Sequence, residues 1–215
     1  MIEISCVNKF YGKQQVLKDV SVSFRPGLIH GLVGRNGSGK TQLFKVICGF
    51  VLPDSGEVRV EGRRIGRERR FPQSMGLLIE SPGFLPGYSG LFNLQMLAAM
   101  NTRLSKSELL AILGQVGLGE AAHRKVGKYS LGMRQRLGLA QALMGRPRLL
   151  ILDEPFNGLD KRGVEEVRGM LRGLKADGVT ILLASHNPED IRLLCDSVHE
   201  MDAGLISPMA ALKMP

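Results

Sequence analysis

Cysteine is scarce in this chain of 215 residues: the three present, Cys6, Cys48 and Cys195, are odd in number and show neither metal-ligand spacing nor a pairing pattern. They read as ordinary reduced core residues, so no disulfide framework is expected. Long hydrophobic runs are missing as well. No window approaches the roughly 18 apolar residues of a membrane-spanning helix. The first ten residues, MIEISCVNKF, lack the basic start and apolar run of a secretion signal. The expectation is a soluble, cytoplasmic chain. Neither an internal repeat nor a low-complexity tract is visible. Acidic residues are the minority: 29 Lys and Arg against 20 Asp and Glu give a formal net charge of +9. That balance favours anionic partners, whether nucleotides, nucleic acid or an acidic membrane surface. The densest basic run, GRRIGRERR, holds Arg63, Arg64, Arg67, Arg69 and Arg70 without an interleaved aromatic. It reads as a solvated loop after a strand, and no nucleic-acid partner is expected.

What is present is 44% hydrophobic, enough for a core in one large domain or two small ones. The early runs IEISCVNKFY, VLKDVSVSF and GLIHGLVG, punctuated by Gly and Pro, predict strands. GEVRVEGRRI alternates and reads as one further strand at an exposed edge. In SKSELLAILGQVGLG, Ser105 and Glu108 form a capping box ahead of Leu109, Ile112, Leu113 and Val116 on one helical face. Met133, Leu137, Ala140 and Met144 mark the next helix, closed by Gly145 and Pro147. LLILDEP and VTILLASH are short apolar runs, and the helix between them turns Val164, Val167, Leu171 and Leu174 inward. Apolar strands alternating with helices predict an α/β fold with a parallel sheet covered on both faces. The middle, about residues 81–145, is rich in helix and reads as a helical subdomain inserted into that core.

GLVGRNGSGKT contains G-x-x-x-x-G-K-[ST] as Gly34, Gly39, Lys40 and Thr41, between an apolar strand and a helix. The glycines let the backbone turn several amides toward phosphate oxygens. The helix N-terminus adds its dipole. Lys40 is placed to reach the β- and γ-phosphates, and the Thr41 hydroxyl to ligate Mg²⁺. Gly34, Asn36, Gly37, Ser38, Gly39, Lys40, Thr41 and Gln42 are therefore the candidate ATP-binding positions. In LLILDEP, Asp153 and Glu154 emerge at the C-terminal end of a buried strand, where open α/β sheets bind ligands. Asp153 is placed in the Mg²⁺ shell, and Glu154 to orient and polarise the attacking water. YSLGMRQRLGLA sets Ser130 and Gly132 at the mouth of an amphipathic helix, where backbone amides meet a phosphate well.

The P-loop (Walker A), LLILDEP (Walker B) and the Ser-Gly helix start together resemble the ATP-binding cassette of ABC transporters over nearly the whole chain. The resemblance implies a P-loop NTPase core with a mostly parallel sheet over residues 1–80 and 146–215. It adds an N-terminal antiparallel β-subdomain and a helical subdomain over 81–145. YSLGMRQRLGLA falls where the family has its LSGGQ signature: Ser130 and Gly132 match, while Leu131 replaces a glycine and Met133 the glutamine. In the family this segment meets ATP held by the opposite subunit. By the same resemblance Tyr11 stacks on adenine, and Asp160 in NGLD belongs to the loop that couples two subunits. His186 in LLASHNPED is likewise the switch histidine near the γ-phosphate.

One position departs. Aligning MGLLIESPGF by Met75 and Gly76 puts Glu80 where the family carries a glutamine, Gln73 lying too early. A carboxylate there approaches Mg²⁺ or the water and adds negative charge, so Glu80 joins Glu154 and His186 as catalytic candidates and Thr41 and Asp153 as metal candidates. Glu80, SPGFLPGYSG and the SLGM signature resemble the branch that includes exporters giving resistance to bacitracin and lantibiotic-type peptides. The resemblance implies an ATPase using ATP and Mg²⁺, working as a homodimer or heterodimer with a separate membrane permease subunit. It would be peripheral at the inner face of the cell membrane. The rival is a soluble ATPase of the same type acting on nucleic acid or ribosomes, which usually carries coiled coils or two cassettes. The C-terminal stretch after His199 leaves little room for a regulatory domain.

Overall fold

The computed structural model describes residues 2–66, 71–72, 74–80, 83–101 and 104–209. Arg67, Arg69, Arg70 and Gln73 lie outside the described residues. Along the chain run β1 (Ile2–Tyr11), β2 (Gln14–Phe24), β3 (Ile29–Val33), α1 (Lys40–Ile47), β4 (Ser55–Val60), β5 (Arg63–Ile65) and β6 (Met75–Leu78). Then follow α2 (Gly90–Asn101), α3 (Lys106–Gln115), a 3-10 turn (Val126–Lys128), α4 (Leu131–Leu143), β7 (Leu149–Asp153), α5 (Lys161–Ala176), β8 (Thr180–Ala184), α6 (Pro188–Leu194), β9 (Ser197–Asp202) and β10 (Leu205–Met209). The fold is α/β. The chain divides into two compact units, Met1–Gln73 with Gly178–Pro215, and Ser74–Asp177.

In the first unit a four-stranded antiparallel sheet has the order β2-β1-β4-β5. Ile2, Ile4, Val7, Leu17, Val20, Val58 and Val60 are buried, as alternation on a half-covered sheet requires. GEVRVEGRRI is two strands rather than one. Glu61 (φ 51°) and Gly62 (φ 74°) turn the chain so that Val60 pairs with Arg63. A two-residue turn with both φ positive matches the right-handed twist of a hairpin. Alternation alone does not register such a turn, and the basic run therefore begins in a strand, with Arg64 Nε 3.2 Å from Glu57 Oε2. β3 pairs in parallel with β8 on one side and β9 on the other, and β10 closes that edge antiparallel to β9. β3 and β8 are buried almost throughout, the pattern of strands covered on both faces. Cys48 is buried, and burial pushes its thiol up to about 12. Cys6 is a correction: it sits exposed at an irregularity of β1 with φ 50°, donating its amide to Ser21 Oγ at 2.9 Å.

In the second unit β6 and β7 pair in parallel. α4 crosses β6 so closely that a Cβ on Gly76 would stand 2.0 Å from the Ala142 carbonyl oxygen. The capping box on α3 forms as expected: Glu108 N donates to Ser105 Oγ and Ser105 N to Glu108 Oε2. Leu109, Leu113 and Val116 are buried; Ile112 is half-buried at the rim. On α5, Val167 and Leu171 are buried, with Val164 and Leu174 half-buried beside them. Arg168 is buried too, its guanidinium 2.5 Å from Glu165 Oε1. Helical spacing points to the face but not to the buried guanidinium of Arg168 paired with an exposed Glu165.

Candidate functional site

The first unit carries the glycine-rich loop between β3 and α1. Gly34, Gly37 and Gly39 have φ of 143°, 80° and 113°, a backbone region that side chains with a Cβ rarely adopt. Gly34 is doubly constrained, since a Cβ there would stand 2.1 Å from the Met201 carbonyl oxygen. Asn36 and Gly37 are exposed at the loop crest. Gly39 caps α1 without a side chain, so the first amides of the helix have no side-chain acceptor at the cap. Lys40 is buried, and its Nζ donates to the Gly34 and Arg35 carbonyls at 2.7 and 3.1 Å. The ammonium is thus folded back into the loop and held there as a fixed positive charge. Ser38 is buried with its Oγ lacking a hydrogen-bond partner. A buried unsatisfied hydroxyl costs free energy unless a ligand partners it. The loop therefore fits a polyphosphate.

The C-terminal hairpin supports this loop, a feature sequence reasoning missed. Ala203 (φ 47°) and Gly204 (φ 87°) turn β9 into β10, and Gly204 N donates to the Ser38 carbonyl at 2.9 Å. Gly204 O in turn accepts from Lys18 N at 2.8 Å. Thr41 and Gln42 follow Lys40 on α1, both half-buried. Tyr11 is exposed at the end of β1; its hydroxyl donates to Gln42 Oε1 at 3.0 Å, and Lys9 Nζ lies 5.5 Å from its ring centre. His186 is exposed just past β8. Behind it Ser185 Oγ donates to Asp190 Oδ2 at 3.1 Å and accepts from Asn187 N at 3.1 Å, fixing the turn into α6.

The second unit carries the carboxylates and the helix start. Asp153 ends β7, half-buried, and Glu154 follows with φ 52°. The Glu154 carbonyl accepts from Gln135 Nε2 at 2.9 Å and from Asn157 N at 3.3 Å. Glu80 is exposed, two residues past β6, with φ 61°; Ser81 and Pro82 lie outside the described residues. Ser130 caps α4, its Oγ accepting from Met133 N at 3.2 Å. The Ser130 hydroxyl proton stays available to donate to an anion. Gly132 leaves no room for a side chain, since a Cβ would stand 2.6 Å from the Gly158 carbonyl oxygen. Asp160 caps α5, accepting from Gly163 N at 2.9 Å. Arg136 ties three helices together, donating to the Val116 carbonyl at 2.8 Å and to Glu166 Oε2 at 2.7 Å. Gln135 and Arg136 went unremarked in the sequence because their partners are distant along the chain.

The family model described as ABC transporter matches residues 17–157. The chain is 41% identical over 204 residues to the uncharacterized ABC transporter ATP-binding protein YybJ of Bacillus subtilis (strain 168), covering 95% of this chain and 94% of that protein. It is 38% identical to the lantibiotic transport ATP-binding protein SrtF of Streptococcus pyogenes, covering 92% and 85%. With the bacitracin transport ATP-binding protein BcrA of Enterococcus faecalis it shares 39% identity, covering 95% and 67%. Among solved structures, an ATP-binding subunit of an ABC transporter superposes with a TM-score of 0.87 at 27% identity, covering 99% and 90%. The ATP-binding cassette MJ0796, in a dimeric post-hydrolysis state bound to ADP and Pi, has the same fold: TM-score 0.89, 22% identity, all of both chains covered.

Proposed function

This chain belongs to the ABC transporter family as an ATP-hydrolysing subunit, and we propose that it works as a head-to-tail pair closing over two ATP molecules to drive a separate membrane permease. In this reading residues 81–145 are the helical subdomain, and 1–80 with 146–215 the core. Lys40 and the amides of the glycine-rich loop bind the phosphates, with Ser38 partnered by an oxygen. Tyr11 stacks on the base. Ser130 and Gly132 present their helix start to the ATP held by the second subunit, and Asp160 contributes to the coupling of the pair. Glu154 orients and polarises the attacking water, His186 stabilises the γ-phosphate, and Glu80 acts where the family has a glutamine.

Among the described residues no group of three or more His, Cys, Asp or Glu could hold a metal ion. That agrees with Mg²⁺ chemistry, in which one or two protein ligands and the substrate phosphates suffice. Thr41 and Asp153, with Glu80, would hold Mg²⁺, which when bound offsets charge on the phosphate oxygens. Closure excludes bulk water, and hydrolysis lets the pair reopen. No helix among the described residues is long and apolar enough to cross a membrane. The permease would therefore supply the membrane crossing, and the chain would sit peripherally at the inner face. The names of SrtF and BcrA, lantibiotic and bacitracin transport ATP-binding proteins, support transport of an antimicrobial peptide as the driven step. They do not favour the rival reading of an ATPase acting on nucleic acid or ribosomes.

The observation that carries the proposal is Lys40: a buried ammonium held by carbonyls of its own loop, among glycines of positive φ at a helix N-terminus. The test is Glu154→Gln. ATP affinity should stay within about twofold while turnover falls by roughly 10² or more, the range for losing a general base. Near wild-type turnover in that variant would remove Glu154 from its role.

A further inference from the structure

Glu154 sits in the left-handed region at φ 52°, a conformation that a residue with a Cβ keeps only when its surroundings hold it. Two donors converge on its carbonyl. Asn157 N, at 3.3 Å, closes the local turn. Gln135 Nε2, at 2.9 Å, comes from α4, one turn past the Ser130 cap. Both lone pairs of the carbonyl are thereby used. α4 also packs on the same loop further along, with Leu131 against Gly158 and Gly132 against the Gly158 carbonyl. Gln135 is half-buried, and ordering so flexible a side chain costs rotamer entropy, which its hydrogen bond must offset.

We propose that Gln135 is a positioning residue for hydrolysis: by donating to the Glu154 carbonyl it holds that peptide in its left-handed conformation. The φ and ψ at this residue decide the direction in which the Cα–Cβ bond leaves the end of β7, and so where the carboxylate points. Without the side-chain donor the carbonyl loses the shorter of these two bonds and keeps the longer one from Asn157. The peptide then relaxes toward negative φ, and the carboxylate swings away from its working direction. The proposal rests on the reading of Glu154 as the group that orients the attacking water.

The experiment measures ATP turnover of the purified full chain as wild type, Gln135→Met, Gln135→Glu and Glu154→Gln. Met keeps the length and loses the donor. The worth of one neutral hydrogen bond, converted to a rate, predicts a fall in kcat of about three- to tenfold. KM for ATP should stay within about twofold, and Tm within a few degrees. Glu at position 135 is isosteric and donates only when protonated. At neutral pH its carboxylate faces the Glu154 carbonyl oxygen and repels it, so kcat should fall at least as far as in the Met variant and recover relative to wild type as pH falls toward the carboxyl range, about 4.3 for a free side chain. If Glu154→Gln abolishes turnover while both Gln135 variants keep wild-type kcat, the proposal fails alone. A loss in Gln135→Met matched by a rise in KM or a collapse in Tm also overturns it, making Gln135 structural. If Glu154→Gln itself retains turnover, the reading beneath the proposal falls and takes the proposal with it.

Discussion

Gly132→Ala places one methyl group between two backbones. A Cβ there lies 2.6 Å from the Gly158 carbonyl oxygen, and ordinary contact begins at 3.4 Å, so α4 and the loop must part by about 0.8 Å. Neither side is a flexible side-chain end, so no rotation relieves the clash. Overpacking of this kind costs about 1–3 kcal/mol, and the better helix propensity of Ala returns at most about 1 kcal/mol. The net is a loss of up to about 2 kcal/mol, which in a chain of this size lowers Tm by up to roughly 8 °C. The loop that moves lies between Glu154 and Asp160, and displacements near 1 Å cost up to about 10² in rate. Turnover should therefore fall further than stability alone explains. The control is Gly169→Ala on α5, where a Cβ meets nothing within 4 Å. The same chemical change there should raise stability by about 0.5–1 kcal/mol and leave turnover alone. Thermal unfolding and ATPase assays on the two variants decide the matter. A Gly132→Ala protein as stable and as active as Gly169→Ala would refute the claim that this contact is tight.

Two further outcomes are expected. Burial holds the His30 and His199 imidazoles below their ordinary range; the Arg25 carbonyl and the Asp196 charge oppose this at His30, and the charge of His30 adds to it at His199. The unfolded chain therefore takes up protons first, near about pH 6.5. This contribution to stability is fully present above that value and lost as pH falls through it. The urea midpoint should drop between about pH 7.5 and 5.5, and His199→Phe should reduce the drop; a midpoint that holds or rises in acid contradicts this. Tyr11→Ala should weaken ATP binding by about five- to tenfold, the low end of base stacking, while Tyr11→Phe, which loses only the bond to Gln42, should bind within about twofold. Equal affinities for both variants would take Tyr11 out of the base site.

What the sequence by itself determined were features written in neighbouring residues. The glycine-rich loop, the Ser105–Glu108 capping box, the helix start at Ser130 and the buried runs of β7 and β8 all follow from local spacing, because a turn or cap is satisfied within a few residues. Tertiary structure decided everything that depends on distant partners. The Met201–Gly204 hairpin that fixes the P-loop, the Gln135 bond to Glu154, the Arg136 hub and the buried Arg168 each join a residue to a neighbour the local pattern does not announce. Register was lost for the same reason where β4 turns into β5, since the alternation of Val58 and Val60 does not mark where the turn at Glu61 and Gly62 sends Ile65 back to pair with Val58. Cys6 was misjudged as core because a bulge, not the period of the strand, sets which way it faces. Sequence spacing names the groups that can do chemistry; only packing aims them.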